Sequence, residues 1–295
     1  MRILLFGASG QVGTEFLSLA ALQDVEVVAP DQDALDLADH DAIAGVIGEG
    51  SWSAVVNAAA YTDVERAESD EETAFAVNGK APAQLAIETG RLGIPLIHIS
   101  TDYVFDGHKG TPYVEKDLPA PLNAYGRSKL AGERGVAAGN PRHVILRTSW
   151  VYSPYGRNFV RTILRFARER DRLTIVADQR GCPTAARDVA EACLTVALRC
   201  AGEPARGPYG LYHFTGAGEA TWFEFAKTIV ELAHLPRPVE VVPIRTSEYP
   251  TRTARPADTR LDCAAFVRDF GIEPRPWHEA LEETLGRLLE SQETP

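Results

Sequence analysis

Short apolar runs alternate with stretches of helical period through the first half of the chain. Residues 3–6, 25–29, 54–58, 95–100 and 144–150 are brief, rich in β-branched residues and often closed by Gly, Ser or Asp, the pattern of fully buried strands. Between them, residues 11–22, 41–47, 71–91 and 124–138 read as helices. Strict alternation of this kind predicts an α/β fold, a doubly wound parallel sheet with helices on both faces. Its loops after each strand gather along one edge, where such sheets bind ligands. Beyond Trp150 the pattern loosens. Helices are expected near 158–169, 186–200, 222–235 and 277–289, strands near 173–177, 212–214 and 239–244, a connecting loop at 201–210 and a loose tail at 291–295. The division this suggests is residues 1–150 as a dinucleotide-binding domain, with part of 171–200 packed on it, and 151–295 mainly as a smaller C-terminal α/β substrate lobe.

Composition narrows the class. With 295 residues and 45% hydrophobic content the chain has enough apolar material for a full core. The apolar run at 3–6 is too short for a secretory signal and no run is long enough for a bilayer, so a cytoplasmic location is expected. Cys182, Cys193, Cys200 and Cys263 show no metal-type spacing and read as reduced structural thiols. A net charge of -11 speaks against nucleic acid or an anionic membrane as the main partner.

Against that background GASGQVG, residues 7–13, stands between the first strand and the first helix. Gly7 permits the tight turn, Gly10 the approach of a pyrophosphate, and Gly13 close packing of helix on sheet, while the helix N-terminus favours negative charge. This is a Rossmann-type dinucleotide loop. Asp31, ending the second strand, suits an adenosine ribose. No cation near Ala8, Ser9 or Asp31 offers itself to a 2′-phosphate, which favours NADH while leaving NADPH open. Asp36 is either at the adenine edge with Leu37 or a helix cap. In YGRSK, Tyr125 and Lys129 are four residues apart and share a helix face. A phenol ordinarily near pKa 10 needs help to act at neutral pH, and a neighbouring ammonium lowers it. STDYVFDG places Ser100 and Thr101 at the same sheet edge, where a hydroxyl stabilises charge on a carbonyl oxygen.

Taken together, GASGQVG, NAAAYTDVERAE, AVN ending at Asn78, STDYVFDG, PLNAYGRSKLAGE, RTSWVY, ADQRGCPT and the late ARP resemble the extended short-chain dehydrogenase/reductases, and within them the dTDP-4-dehydrorhamnose reductase family. The resemblance runs from Met1 to about Arg260. It implies NADH- or NADPH-dependent reduction at C4 of a dTDP-4-dehydro-6-deoxy sugar, dTDP-4-dehydrorhamnose, to dTDP-L-rhamnose. It also implies Tyr125 as proton donor, Lys129 as its ribose-binding partner and Thr101 as the third member. Gly10, Gln11, Val12, Asp36, Leu37, Ala59, Ala60, Tyr61 and Asn78 are implied at the cofactor, and Thr101, Asp102, Tyr103, Trp150 and Val64 at the sugar. Some relatives carry a magnesium-linked homodimer. Glu15 matches one ligand position there and equally suits a carboxylate favoured by a helix N-terminus.

An anionic dTDP-sugar needs a local cationic site in so acidic a chain. Arg245, Arg252, Arg255 and Arg260 supply candidates, with Arg255 foremost because Pro256 fixes its loop. Asn158 and Gln179 are lesser candidates, and His213 reads as a core residue. Two alternatives stay open: a nucleotide-sugar epimerase or dehydratase on the same fold, and a non-catalytic regulatory subunit.

Overall fold

The computed structural model describes residues 1–30, 35–251 and 253–293. Strands β1 (Arg2–Phe6), β2 (Glu26–Val28), β3 (Ala54–Asn57), β4 (Leu96–Thr101) and β5 (His143–Thr148) fall where the apolar runs predict them. Alternating with them are α1 (Gln11–Leu22), α2 (His40–Gly48), α3 (Val64–Ala67), α4 (Glu71–Phe75), α5 (Ala81–Leu92) and α6 (Ala124–Gly139). The later chain adds β6 (Val151–Tyr152), α7 (Phe159–Glu169), β7 (Arg172–Val176), β8 (Arg180–Gly181), β9 (Thr184–Ala185) and α8 (Ala186–Gly202). It ends with β10 (Gly210–His213), β11 (Ala220–Thr221), α9 (Trp222–Leu232), β12 (Glu240–Ile244), α10 (Ala264–Phe270) and α11 (Trp277–Glu293).

Six strands form one parallel sheet in the order β10-β5-β4-β3-β1-β2. The apolar runs are continuous because both faces are covered. On one face Phe16 and Leu19 of α1 meet Val189, Cys193 and Val196 of α8 and Phe266 of α10. On the other, Ile43 and Ile47 of α2 pack with Leu85 of α5 and Val136 of α6. The chain leaves β1 toward one face and β3 toward the other, so a crevice opens beyond Phe6 and Asn57, where a ligand of such a sheet binds. A separate core joins Ile163 and Leu164 of α7, Phe225 and Ile229 of α9, and Trp277 and Leu281 of α11, beside the parallel pair β7–β12. The fold is therefore a doubly wound α/β sheet with a smaller C-terminal α/β lobe.

Several details depart from the sequence reading, each for a local reason. The helix expected at 71–91 is interrupted by a π turn, Ala76–Lys80, just before Pro82. Proline has no N–H to continue the ladder, and the wider turn absorbs the break. The short pairs β6–β9 and β8–β11 have too few residues to show a period. The helix α10 was also missed, and α11 continues to Glu293 through good helix formers where a loose tail was expected. All four cysteines are free, three of them buried. No described helix is long and apolar enough to cross a membrane.

Candidate active site

The crevice is a cleft of about 910 Å³. It is lined by Gly7, Gly10, Gln11, Val12, Asp36 and Leu37 from the first part of the sheet and by Thr101, Asp102, Tyr103, Trp150, Trp222 and Arg255 from later segments. Ala59, Ala60, Tyr61, Val64, Tyr125 and Lys129 lie along its length. Most residues singled out from the sequence thus share one cavity.

The glycine loop is built by exclusion of side chains. Gly7 has φ +83°, and a Cβ there would lie 2.5 Å from the Ala59 nitrogen. At Gly13 a Cβ would stand 2.1 Å from the Gly7 carbonyl oxygen. Gly13 does not line the cleft; it lets α1 sit directly on the turn, so that the start of the helix, with Gly10, Gln11 and Val12, borders the crevice. Gln11 is fixed from across the cleft, since Asn158 Nδ2 donates to its Oε1 at 2.9 Å and Ser153 Oγ at 2.8 Å. Asn158 also caps α7 through Arg161. Asn78 works from behind the wall: its Oδ1 accepts from the Tyr61 N–H at 2.8 Å, and its Nδ2 donates to Ser128. Asn57 acts similarly, accepting from the Ala59 N–H at 3.1 Å and pairing with buried His98. Asp36 accepts from the Ala38 N–H, and Asp39 rather than Asp36 caps α2. Asp31 lies outside the described residues. A narrow backbone cradle bordered by the start of a helix fits a dinucleotide pyrophosphate.

At the centre, two elements meet in register. Asn123 caps α6, accepting from the Gly126 N–H at 2.8 Å and donating to the Ala254 carbonyl at 2.9 Å, so Tyr125 begins the helix at the cleft wall. Tyr125, Lys129 and Glu133 follow at intervals of four on one face. This face meets the end of β4: Thr101 lies beside the Tyr125 side chain with its own Oγ1 donating to Asp102 Oδ1 at 3.1 Å, Lys129 Nζ donates to the Ile99 carbonyl at 2.7 Å, and Ser100 Oγ donates to Glu133 at 2.5 Å. Beneath them Arg147 grips Glu133 with Nε and Nη2 at 2.8 and 2.7 Å, wholly inside the protein.

Burial sets the electrostatics. It pushes the Tyr125 phenol well above its ordinary value against the Thr101 hydrogen bond, and the Asp102 and Tyr103 side chains add to the rise. The expected lowering by Lys129 is not what this geometry gives, because the ammonium is turned to Ile99. Burial lowers Lys129 itself to about 8, with the Glu133 carboxylate working the other way. Desolvation raises Asp102 to about 7 despite hydrogen bonds from Thr259 and Thr101, and raises Tyr103 to about 12. The rings of Tyr103 and Tyr125 meet edge to face at 5.6 Å.

Among the sequence-predicted cations, Arg255 reaches the cleft. Its Nη2 bonds Glu65 at 2.9 Å and its Nη1 lies 3.5 Å from the Tyr103 hydroxyl. Arg260 is instead committed to Asp258 and Glu219, and Arg245 donates its backbone N–H to Glu248. Gln179 turns to Thr246. Arg252 lies outside the described residues. His213 is a core residue, as expected, and burial lowers it to about 3. Three cleft-lining groups, Asp102 Oδ2, Thr148 Oγ1 and Arg255 Nε, are buried with no hydrogen-bond partner among the described residues. Such groups are costly unless a polar ligand meets them. Thr148, Ser149 and Trp222 join the cleft beyond the residues the sequence singles out, the first two lying within the RTSWVY motif.

Glu15 does not fit a metal. It is fully buried between Arg187, at 3.5 Å, and Arg287, at 2.8 Å, whose guanidinium groups occupy the positions a cation would take. Among the described residues no cluster of three or more His, Cys, Asp or Glu side chains is placed to hold an ion.

Known proteins resemble this chain in sequence and fold. A dTDP-4-dehydrorhamnose reductase of Sinorhizobium fredii is 44% identical over 291 residues, 98% of each chain. The crystal structure of a dTDP-4-dehydrorhamnose reductase from Clostridium acetobutylicum superposes with a TM-score of 0.91 at 36% identity, covering 98% of this chain and 100% of that one. The Bacillus anthracis reductase, solved in complex with NADP, gives 0.90 at 33% identity over 97% and 99% of the two chains. The RmlD substrate binding domain model matches residues 1–290, and with these likenesses the chain belongs to the dTDP-4-dehydrorhamnose reductase family.

Proposed function

We propose that this chain is an NAD(P)H-dependent oxidoreductase that reduces the C4 ketone of dTDP-4-dehydrorhamnose to give dTDP-L-rhamnose. The observation that carries the reading is the convergence of Thr101, Tyr125 and Lys129 in the same cleft as the glycine loop. In this reading residues 1–150, with α8 packed on them, hold the cofactor and most of the sugar contacts, and the later chain closes the site with Trp222 and Arg255. Gly7, Gly10, Gln11 and Val12 take the pyrophosphate, Asp36 and Leu37 the adenosine end, and Ala59, Ala60 and Tyr61 the middle. The bound cofactor supplies the hydride.

The protein supplies the proton and the geometry. Because burial keeps the Tyr125 phenol protonated at neutral pH, it stands ready as an acid toward the C4 oxygen. Thr101 fixes the direction of that hydroxyl and helps to stabilise negative charge on the same oxygen. Lys129, one turn along α6, reaches the nicotinamide ribose and adds positive charge to the site. Asp102, Tyr103, Val64 and Trp150 surround the sugar, and Arg255 meets the diphosphate.

The test is anaerobic incubation with the dTDP-4-keto-6-deoxy sugar and each reduced nicotinamide in turn, followed by product identification. Stoichiometric NAD(P)H oxidation is expected, whereas turnover without net oxidation identifies an epimerase and ends the reductase reading. Tyr125→Phe is expected to leave cofactor affinity unchanged and cut turnover by about 10²-fold or more. Full activity in that variant removes Tyr125 from the mechanism.

A further inference from the structure

Trp150, just after β5, has φ +47°. A bulky side chain in the left-handed region is disfavoured and persists where its surroundings over-determine it. The surroundings here are specific. Trp222, the first residue of α9, lies flat on Trp150 with ring centroids 3.5 Å apart and planes 5° from parallel. Phe159, the first residue of α7, backs Trp222 at 4.5 Å. At the edge of the Trp150 ring, Gly181 leaves room that no other residue can: a Cβ there would come within 2.4 Å of the indole. The Trp150 carbonyl accepts from the Thr184 N–H at 3.3 Å, which leads into the β6–β9 pair.

Trp222 itself cannot drift. It opens a helix locked by a full capping box, in which Thr221 and Glu224 satisfy each other's backbone N–H groups. Both indoles line the same cleft as Thr101, Asp102 and Tyr103. Two stacked planar rings offer dispersion and apolar contact to the C–H face of a hexose and no charge to the reacting atoms.

We infer that Trp222 is a positioning residue for substrate, clamping the Trp150 indole as the wall against which the hexose of the nucleotide sugar lies. The inference rests on the reading above that Trp150 meets the sugar. Because the clamp touches neither proton donor nor glycine loop, its loss falls on substrate binding and spares the chemical step and the cofactor.

Steady-state kinetics and NAD(P)H titration of four variants separate the possibilities. Trp222→Ala is expected to raise KM for the nucleotide sugar about 10-fold or more, with kcat within about 2-fold and cofactor affinity unchanged. Trp222→Phe keeps a ring at the stack and should recover most of the loss. Gly181→Ala pushes the Trp150 ring from its other edge and should raise KM with the same signature, which keeps the test alive if Trp222→Ala fails to fold. Trp150→Ala is the reference. If Trp150→Ala raises KM while Trp222→Ala and Gly181→Ala leave it unchanged, the clamp is refuted and the sugar site stands. If Trp150→Ala leaves KM unchanged, the sugar site itself is misplaced and the clamp falls with it. A proportional fall in kcat and cofactor affinity in Trp222→Ala marks general damage and also overturns the inference.

Discussion

Lys129 should make the folded protein less stable at neutral pH than a methionine in its place, and more stable at high pH. The side chain is 2% exposed, and its ammonium titrates at about 8 instead of 10.5. That gap corresponds to a penalty of about 3 kcal/mol on holding the charged form inside the fold. The penalty is fully present below pH 8, where folded and unfolded chains both carry the proton. It fades as pH rises from the folded value toward 10.5, because the folded chain then binds fewer protons than the unfolded one. Lys129→Met removes the penalty and also the 2.7 Å bond to the Ile99 carbonyl, a loss of roughly 1–2 kcal/mol. The variant should therefore be more stable than the parent by about 1–2 kcal/mol at pH 7. It should be less stable by a smaller amount at pH 10, a swing of about 2–3 kcal/mol. The assay is denaturant unfolding of both proteins without cofactor at the two pH values. Taking the difference cancels the buried tyrosines and thiols, which titrate in both chains. The variant should also lose nearly all reductase activity, so that stability and function move in opposite directions. A stability difference that stays constant between pH 7 and pH 10 refutes the burial argument.

Two further perturbations probe the parts that hold the site. Gly13→Ala would place a Cβ 2.1 Å from the Gly7 oxygen and 2.6 Å from Ala8 Cα, both backbone atoms that cannot rotate away. A cofactor affinity lowered at least about 10-fold, with a stability loss of roughly 1–3 kcal/mol, is expected by fluorescence titration and melting; wild-type affinity would show that the loop and helix separate freely. Glu133→Leu leaves Arg147 charged and unpaired, and Ser100 without its acceptor, inside the protein. A loss of about 3–5 kcal/mol in denaturant unfolding is expected, most of it restored in Glu133→Leu/Arg147→Met, and a single variant as stable as the parent would mean that water reaches the pair.

What the sequence disclosed, and what it withheld, divides along chain distance. The glycine loop and the Tyr125–Lys129 pair were legible because each is a local object: a residue type demanded by backbone conformation, or two side chains one turn apart on a helix. The sheet was legible for the same reason, since each of its first five strands carries its own apolar run, and parallel connectivity then brings Thr101 to the edge that holds Gly7 and Gly10. Charge partners were not legible. Arg255 stood foremost among four candidate phosphate ligands only because Pro256 follows it, and nothing local showed that Asp258 and Glu219 engage Arg260 while Arg255 meets Glu65 at the cleft. Glu15 read as a helix-terminal carboxylate or a metal ligand, and two arginines from α8 and α11 decide against the metal. The same limit hides Trp222, whose face is complementary to a residue far earlier in the chain. In each case the residue's own neighbours in sequence leave its partner undetermined, and packing between the sheet and the C-terminal lobe supplies it. On the reading proposed above, substrate specificity would draw on contacts that span the two cores, such as Trp150 with Trp222, whereas proton and hydride transfer would rest on short motifs of the first.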